Sequence, residues 1–247
     1  LNFTNFLGRA NFNYKLAQQS NIQFSYNART RNPSMQQIQP LLNNNNPLFL
    51  QIGNPNLNIT FNQSIDINFF DYKVLTSRNI YSGINFSTTS NDFSNSERID
   101  SLGRRISQTV NVNGNYTINS YLYYRKEISK SGLSFSSNIS INASRFKNIV
   151  NSLANVTNNS SYTLGIGLGS YNNEKLEYGF ELNGTYNVSK SSIRPDVRTR
   201  FWTFSPDAFL GVDLPFKFRL NTNANYFFRE KTSVFDRNNN ALIWNAT

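Results

Sequence analysis

Glu177 and Glu181 are the side chains that come nearest to an acid/base pair in this 247-residue chain, and their spacing argues against it. They lie in a stretch where Leu176, Tyr178, Phe180 and Leu182 alternate with polar residues, which is the pattern of a β-strand. In a strand, residues i and i+4 are ~13 Å apart, too far for one carboxyl to work against the other. Both are read as solvated carboxylates on a polar face. The run Gly165-x-Gly167-x-Gly169 is no phosphate loop, since no helix follows it; it leaves room on one side of a strand. With His 0 and Cys 0, the chain lacks the usual general base, every thiolate nucleophile and the common zinc ligands. No catalytic residue, metal site or cofactor is expected, and the chain is not read as an enzyme. Arg29 and Arg31 open the longest connection, residues 28–57, and could contact a ligand. The prolines and glycine behind them, Pro33, Pro47, Gly53 and Pro55, fit equally well as stiffeners of a corner.

The elements that would position these groups are strands throughout. Phe6, Gly8, Ala10, Phe12, Tyr14 and Leu16 alternate with Arg9, Asn11, Asn13 and Lys15. Ile22, Phe24, Tyr26 and Ala28 continue the pattern after a short turn, and residues 59–69 resume it beyond the long connection. Similar runs are expected at 80–86, 110–119, 133–143, 162–168, 176–188, 202–214, 218–226 and 242–246. Turns are expected at 73–77, 129–132 and 172–175. Longer polar connections are expected at 91–107 (with a hairpin tip at 100–103), 146–160, 190–198 and 231–240. Short and long connections therefore alternate.

Composition narrows the class. Hydrophobic residues are 38% while aromatics reach 15%, with Phe 21 and Tyr 13, so the apolar surface is of a kind that suits sheets. The net charge of +10 comes from scattered Lys and Arg, not from one basic stripe, and reads as solvated loops and lumen; nucleic acid is not an expected partner. No run of 18 apolar residues suggests a transmembrane helix. One face of nearly every strand is Asn, Ser, Thr or charged, including Asp66, Glu177, Glu181, Lys217 and Arg219, while the other is apolar and aromatic. Ionisable groups kept off the apolar face, with long connections at one end, match an antiparallel up-and-down transmembrane β-barrel with short periplasmic turns and long extracellular loops. The aromatics Tyr121, Tyr123, Tyr124, Trp202 and Phe204 would then sit in membrane-interface girdles. About eleven strands are expected. Closed barrels in bacteria have an even number, so residues 1–247 are read as part of a larger barrel.

The stretch Arg31, Pro33-Ser34, Gln37, Pro40, Asn46-Pro47, Gly53-Asn54-Pro55 and Leu57 resembles the corner sequences of TonB-dependent receptors, an outer-membrane β-barrel family. The chain departs from that pattern with Asn32 before Pro33 and with Asn58-Ile59 where a second proline is common. The resemblance implies a barrel of about 22 strands, a plug domain and final strands lying outside residues 1–247, and residence in the bacterial outer membrane. It implies active uptake of a scarce nutrient, an iron chelate, cofactor or glycan, with Arg29, Arg31, Pro33, Gln37, Gly53, Asn54 and Pro55 as ligand or loop residues. The implied partners are outer-membrane lipid, the plug, a TonB-type energy-coupling complex and a surface lipoprotein. Two other readings remain open: a passive pore or adhesin-like barrel, and a soluble β-rich binding domain.

Overall fold

The computed structural model describes residues 7–128, 132–170, 175–232 and 237–247, with the backbone alone at 44, 45 and 217. In chain order the elements are β1 (Arg9–Ala17), β2 (Ser20–Arg31), the one-turn helix α1 (Met35–Ile38), β3 (Leu42–Asn46), β4 (Phe49–Ile52), β5 (Thr60–Lys73), β6 (Arg78–Ser90), β7 (Asp92–Ile99), β8 (Arg105–Val112), β9 (Asn115–Glu127), β10 (Leu133–Val150), β11 (Leu153–Ser170), β12 (Leu176–Ser191), β13 (Arg194–Asp213), β14 (Arg219–Arg229) and β15 (Asn239–Ala246). All fifteen strands belong to one sheet. Eleven of them, β1-β2-β5-β6-β9-β10-β11-β12-β13-β14-β15, make a continuous wall. Every neighbouring pair in the wall is antiparallel, as short turns demand. Among the described residues β1 and β15 do not pair, so the wall is an open sheet.

Register turns the alternation of each strand into continuous rows. One row crosses six strands as Ile84, Ser120, Ile141, Tyr162, Tyr186 and Trp202. The row beside it, on the opposite face, reads Asn85, Asn119, Asn142, Ser161, Asn187 and Phe201. A slip of one residue would exchange the two faces, which is why the pattern specifies the pairing so strongly. The polar face is tied by its own side chains: Asn85 Nδ2 donates to Asp66 Oδ1 at 2.6 Å, and Thr163 and Thr185 hydroxyls meet at 2.8 Å. At Gly165 the Asn138 amide donates to Asn183 Oδ1 at 3.1 Å across the strand between them. A Cβ there would lie 1.7 Å from Asn138 Oδ1, so only glycine admits this bridge.

No layer packs over the apolar face among the described residues. Leu164 is 57% exposed and Phe180 52%, and the buried hydrophobic residues are Ala28, Leu50, Leu57 and Val112. Each large apolar side chain left in water forfeits ~1.5–3 kcal/mol relative to burial, and these rows run the width of the wall. The face requires an apolar surrounding.

Three of these buried hydrophobics, Leu50, Leu57 and Val112, mark a second region. Above the start of β9, the β7–β8 hairpin takes the free edge of β10, with Ile149 opposite Ser96. β4 adds to β8 in parallel, and β3 adds to β4. This tier corrects several sequence expectations. Residues 28–57 are not a bare loop, since they contain α1, β3 and β4. Residues 91–107 are mostly the β7–β8 hairpin, with the expected tip at Asp100–Gly103 closed by Gly103 N donating to Asp100 O at 3.0 Å. The run expected at 110–119 is two strands, broken at Asn113-Gly114, where Gly114 has φ +92. Residues 146–160 and 190–198 continue β10–β11 and β12–β13, which turn at 151–152 and 192–193. For the continued strands the reason is shared: beyond the apolar band both faces are largely polar, so the period of two fades although the strand continues. Lys217, expected in a strand, sits in the 3-10 turn Pro215–Lys217, and its side chain is outside the described residues. The expected turns at 129–132 and 172–175 and the connection at 231–240 fall partly outside them too.

Candidate ligand cleft on the polar face

Where β2 leaves the wall, the alternation that puts Ala28 and Thr30 on the apolar side puts Arg29 and Arg31 on the polar side. Their register partners on β5 are Asn62 and Thr60. With Thr89 and Asp92 these residues line a cleft of about 520 Å³ at the foot of the tier. Its floor is fixed: Asn62 Nδ2 donates to Ser87 Oγ at 3.0 Å and to Thr89 Oγ1 at 2.9 Å. Asp92 is held by Asn115, whose Nδ2 donates to its Oδ2 at 2.8 Å, while Asn115 Oδ1 accepts from Lys147 N at 2.8 Å. The Arg31 guanidinium lies 5.0 Å from the centre of the Phe93 ring, which fixes its orientation. Arg29 is exposed and makes no ion pair among the described residues. Two guanidiniums against one carboxylate suit an anionic, oxygen-rich ligand.

The remaining ligand or loop candidates form a clasp behind this cleft. Ser34 caps α1 with Gln37 in a reciprocal box: Gln37 Oε1 accepts from Ser34 N at 2.9 Å, and Ser34 Oγ accepts from Gln37 N at 3.3 Å. The Gln37 carbonyl accepts from Asn54 N at 2.6 Å. Gly53 passes so close to Gln39 that a Cβ would stand 1.8 Å from its carbonyl oxygen. Asn54 accepts from Asn56 N at 3.0 Å and donates through Nδ2 to Thr109 O at 3.0 Å, joining the turn at Pro55 to β8. Gln37, Gly53 and Asn54 thus spend their polar groups on the tier, and Pro33 and Pro55 lie on either side of the clasp. Of the seven ligand or loop candidates, Arg29 and Arg31 are the two that line the cleft among the described residues.

Of the ionisable residues expected on the polar face, Asp66, Glu177, Glu181 and Arg219 lie there. Glu177 accepts from Arg219 Nη2 at 2.6 Å, and Arg219 also meets Asp213 at 3.5 Å. Glu181 accepts from Asn183 at 2.9 Å and stands opposite Asp207 in register, an acidic neighbour that the reading of β12 alone missed and the parity of β13 would have supplied. The described residues contain no group of three metal-ligating side chains. At the tier's outer tip, Asp100 Oδ1 accepts from the Arg104 backbone N–H at 2.9 Å, and this bond, helped by the Arg104 guanidinium, holds its carboxyl below the ordinary range.

The aromatic group divides. Trp202 and Phe204 stack on the apolar face at 5.7 Å, with Tyr186 5.0 Å from Trp202, and Tyr124 is on that face opposite Ile80. Tyr121 and Tyr123 are on the Asn face instead, because the strand alternation separates them from Tyr124. Tyr121 lies over Gly83 and donates to Asn68 Oδ1 at 3.4 Å, and Tyr123 joins Tyr81 at 6.3 Å.

Residues 1–202 match a family model described as outer membrane protein beta-barrel family. No curated protein matches the sequence.

Proposed function

Because the chain belongs to the outer membrane protein beta-barrel family, we propose that it forms part of the wall of a TonB-dependent receptor that takes up a scarce nutrient. Family membership itself implies the bacterial outer membrane. The observation that carries the reading is the uncovered apolar face across eleven wall strands, backed by a hydrogen-bonded polar face. From Leu176 to Val188 the apolar row of β12 spans twelve steps, ~40 Å along the strand. At the ~45° tilt of such barrels this is a height of ~28 Å, close to their usual hydrocarbon-facing band.

Uptake of a specific nutrient is supported by the cleft at Arg29 and Arg31, which opens on the watered side at the end where the long tier stands. The wall would supply about half of a ring of ~22 strands, the size that holds a plugged lumen. In this reading the polar face meets a plug domain, energy comes from a TonB-type inner-membrane complex, and the tier is where a surface lipoprotein would sit. The ligand is an iron chelate, cofactor or glycan carrying a carboxylate or phosphate.

The test is accumulation of such compounds by cells that carry the receptor, with and without a protonophore. The expected result is uptake that stops on de-energising and falls in the Arg29→Gln/Arg31→Gln variant. Uptake that continues unchanged in de-energised cells would instead identify a passive pore.

A further inference from the structure

The outward face above Trp202 changes character abruptly. One row beyond Trp202, β13 presents Arg200, and the next row reads Arg145, Asn158, Lys190 and Arg198 across four neighbouring strands. Strand spacing makes this belt ~15 Å wide, and it starts ~7 Å above the tryptophan. All four basic side chains are exposed, and none has an ion pair among the described residues. The nearby acids are two, Glu230, which accepts from Trp202 N at 2.9 Å, and Asp196 in the irregular stretch of β13 beyond Arg198, and neither forms an ion pair with the belt among the described residues. At the turn end of the same face Arg78 pairs with Asp71, and Lys73 and Lys126 flank Arg78 in register. Beneath the belt lies an apolar groove of about 580 Å³, lined by Ile141, Tyr162, Leu164, Tyr186, Trp202 and Phe204 among others. It exists because Gly184 stands between Leu164 and Phe204, where a Cβ would press the Phe204 ring at 3.2 Å.

We propose that this groove and belt form a specific site for a phosphorylated lipid of the outer leaflet, an acyl chain lying in the groove and the headgroup phosphates held by Arg145, Lys190, Arg198 and Arg200. The site rests on the reading of the apolar face as lipid-facing. Anionic headgroups near a surface gain from each nearby Lys or Arg, and guanidinium forks suit phosphate oxygens. Four basic side chains without ion pairs, directly over an acyl-sized groove, match a molecule that is anionic at one end and hydrocarbon at the other.

Native mass spectrometry of the chain released from detergent micelles tests this, with diphosphoryl lipid A and fully dephosphorylated lipid A as probes. The chain should retain the diphosphoryl form by about tenfold or more over the other. The Arg145→Gln/Lys190→Gln/Arg198→Gln/Arg200→Gln variant should lose that preference. Gly184→Leu, which fills the groove and keeps every charge, should weaken retention, and Arg29→Gln/Arg31→Gln on the opposite face should not. Equal retention of the two lipids overturns the proposal, and that comparison needs only the unaltered chain. So does full displacement by inorganic phosphate, which would make the belt a site for free anions. A chain that stays folded and monomeric without detergent would instead remove the lipid-facing reading itself.

Discussion

The wall and the tier are built from the same residue types and solve opposite problems. In the wall, side chains alternate between an uncovered apolar face and a polar face, so the sheet has no interior of its own. In the tier, Leu50, Leu57 and Val112 are buried, and asparagines replace missing backbone partners: Asn115 joins β7 to β10, Asn111 Nδ2 donates to Asn58 O at 3.0 Å, and Asn54 reaches β8. The difference teaches that the wall borrows its stability from the medium around it, whereas the tier is stabilised by its own packing and hydrogen bonds. Substitutions should therefore have effects set by region.

The sharpest contrast comes from an arginine placed on each face of the wall. Leu164→Arg should cost about 2–4 kcal/mol in a bilayer, the penalty for a cation on the lipid face. Asn142→Arg, on the polar face, should stay within about 0.5 kcal/mol. Urea unfolding in phosphatidylcholine vesicles measures both, and equal costs would break the two-solvent account. Next in size is Leu50→Ala, which removes buried volume from the tier and should cost about 2–3 kcal/mol there. Hydrogen exchange should quicken in β4 and β8 and remain slow in β11 and β12; loosening of the whole wall would show that the regions are not separable. Asn115→Ala leaves the Lys147 N–H and the Asp92 carboxylate without their partner and should cost about 1–3 kcal/mol. The same exchange experiment should show β7 parting from β10 while the β7–β8 hairpin stays closed.

The smallest effect is local to the tip. Asp100 accepts from the Arg104 N–H, so its carboxyl ionises below the ordinary range. A carboxylate with a depressed folded pKa contributes stability that is present above its unfolded pKa and is lost as pH falls through the folded value. The Arg104 amide resonance should thus hold steady through the range where a free aspartate titrates and move only below it. In Asp100→Asn that transition should vanish.

How much of this was legible in the sequence follows from the same contrast. Wherever one face is apolar, period two was plain: Phe24, Ile67, Ile84 and Leu164 all sit in the rows that their parity implies. Parity also put Asp66, Glu177, Glu181 and Arg219 on the polar face. It was lost at Tyr121, Tyr123 and Tyr124, where three aromatics on both faces read as one cluster. It was lost again beyond Arg145 and Lys190, where Asn, Ser and charged residues occupy both sides and long strands look like loops. The tier was illegible because its contacts are distant in sequence: Asn54 meets Thr109, and Phe49 pairs with Arg105. Of the proposed cleft, the sequence marks the two arginines by their place at a strand end, while Asp92, Thr89 and Asn115 come to it only through the fold.

The central claim is that hydrocarbon wets one side of the wall and water the other. The chain has no cysteine of its own, so single cysteines placed in turn at residues 160–168 of β11 can each carry a spin label in a phosphatidylcholine bilayer. Collision with oxygen and with a water-soluble nickel chelate should alternate residue by residue, oxygen favoured at 162, 164, 166 and 168 and the chelate at the residues between. Labels at 162, 164, 166 and 168 that prove open to the chelate, or closed to both reagents, would contradict it.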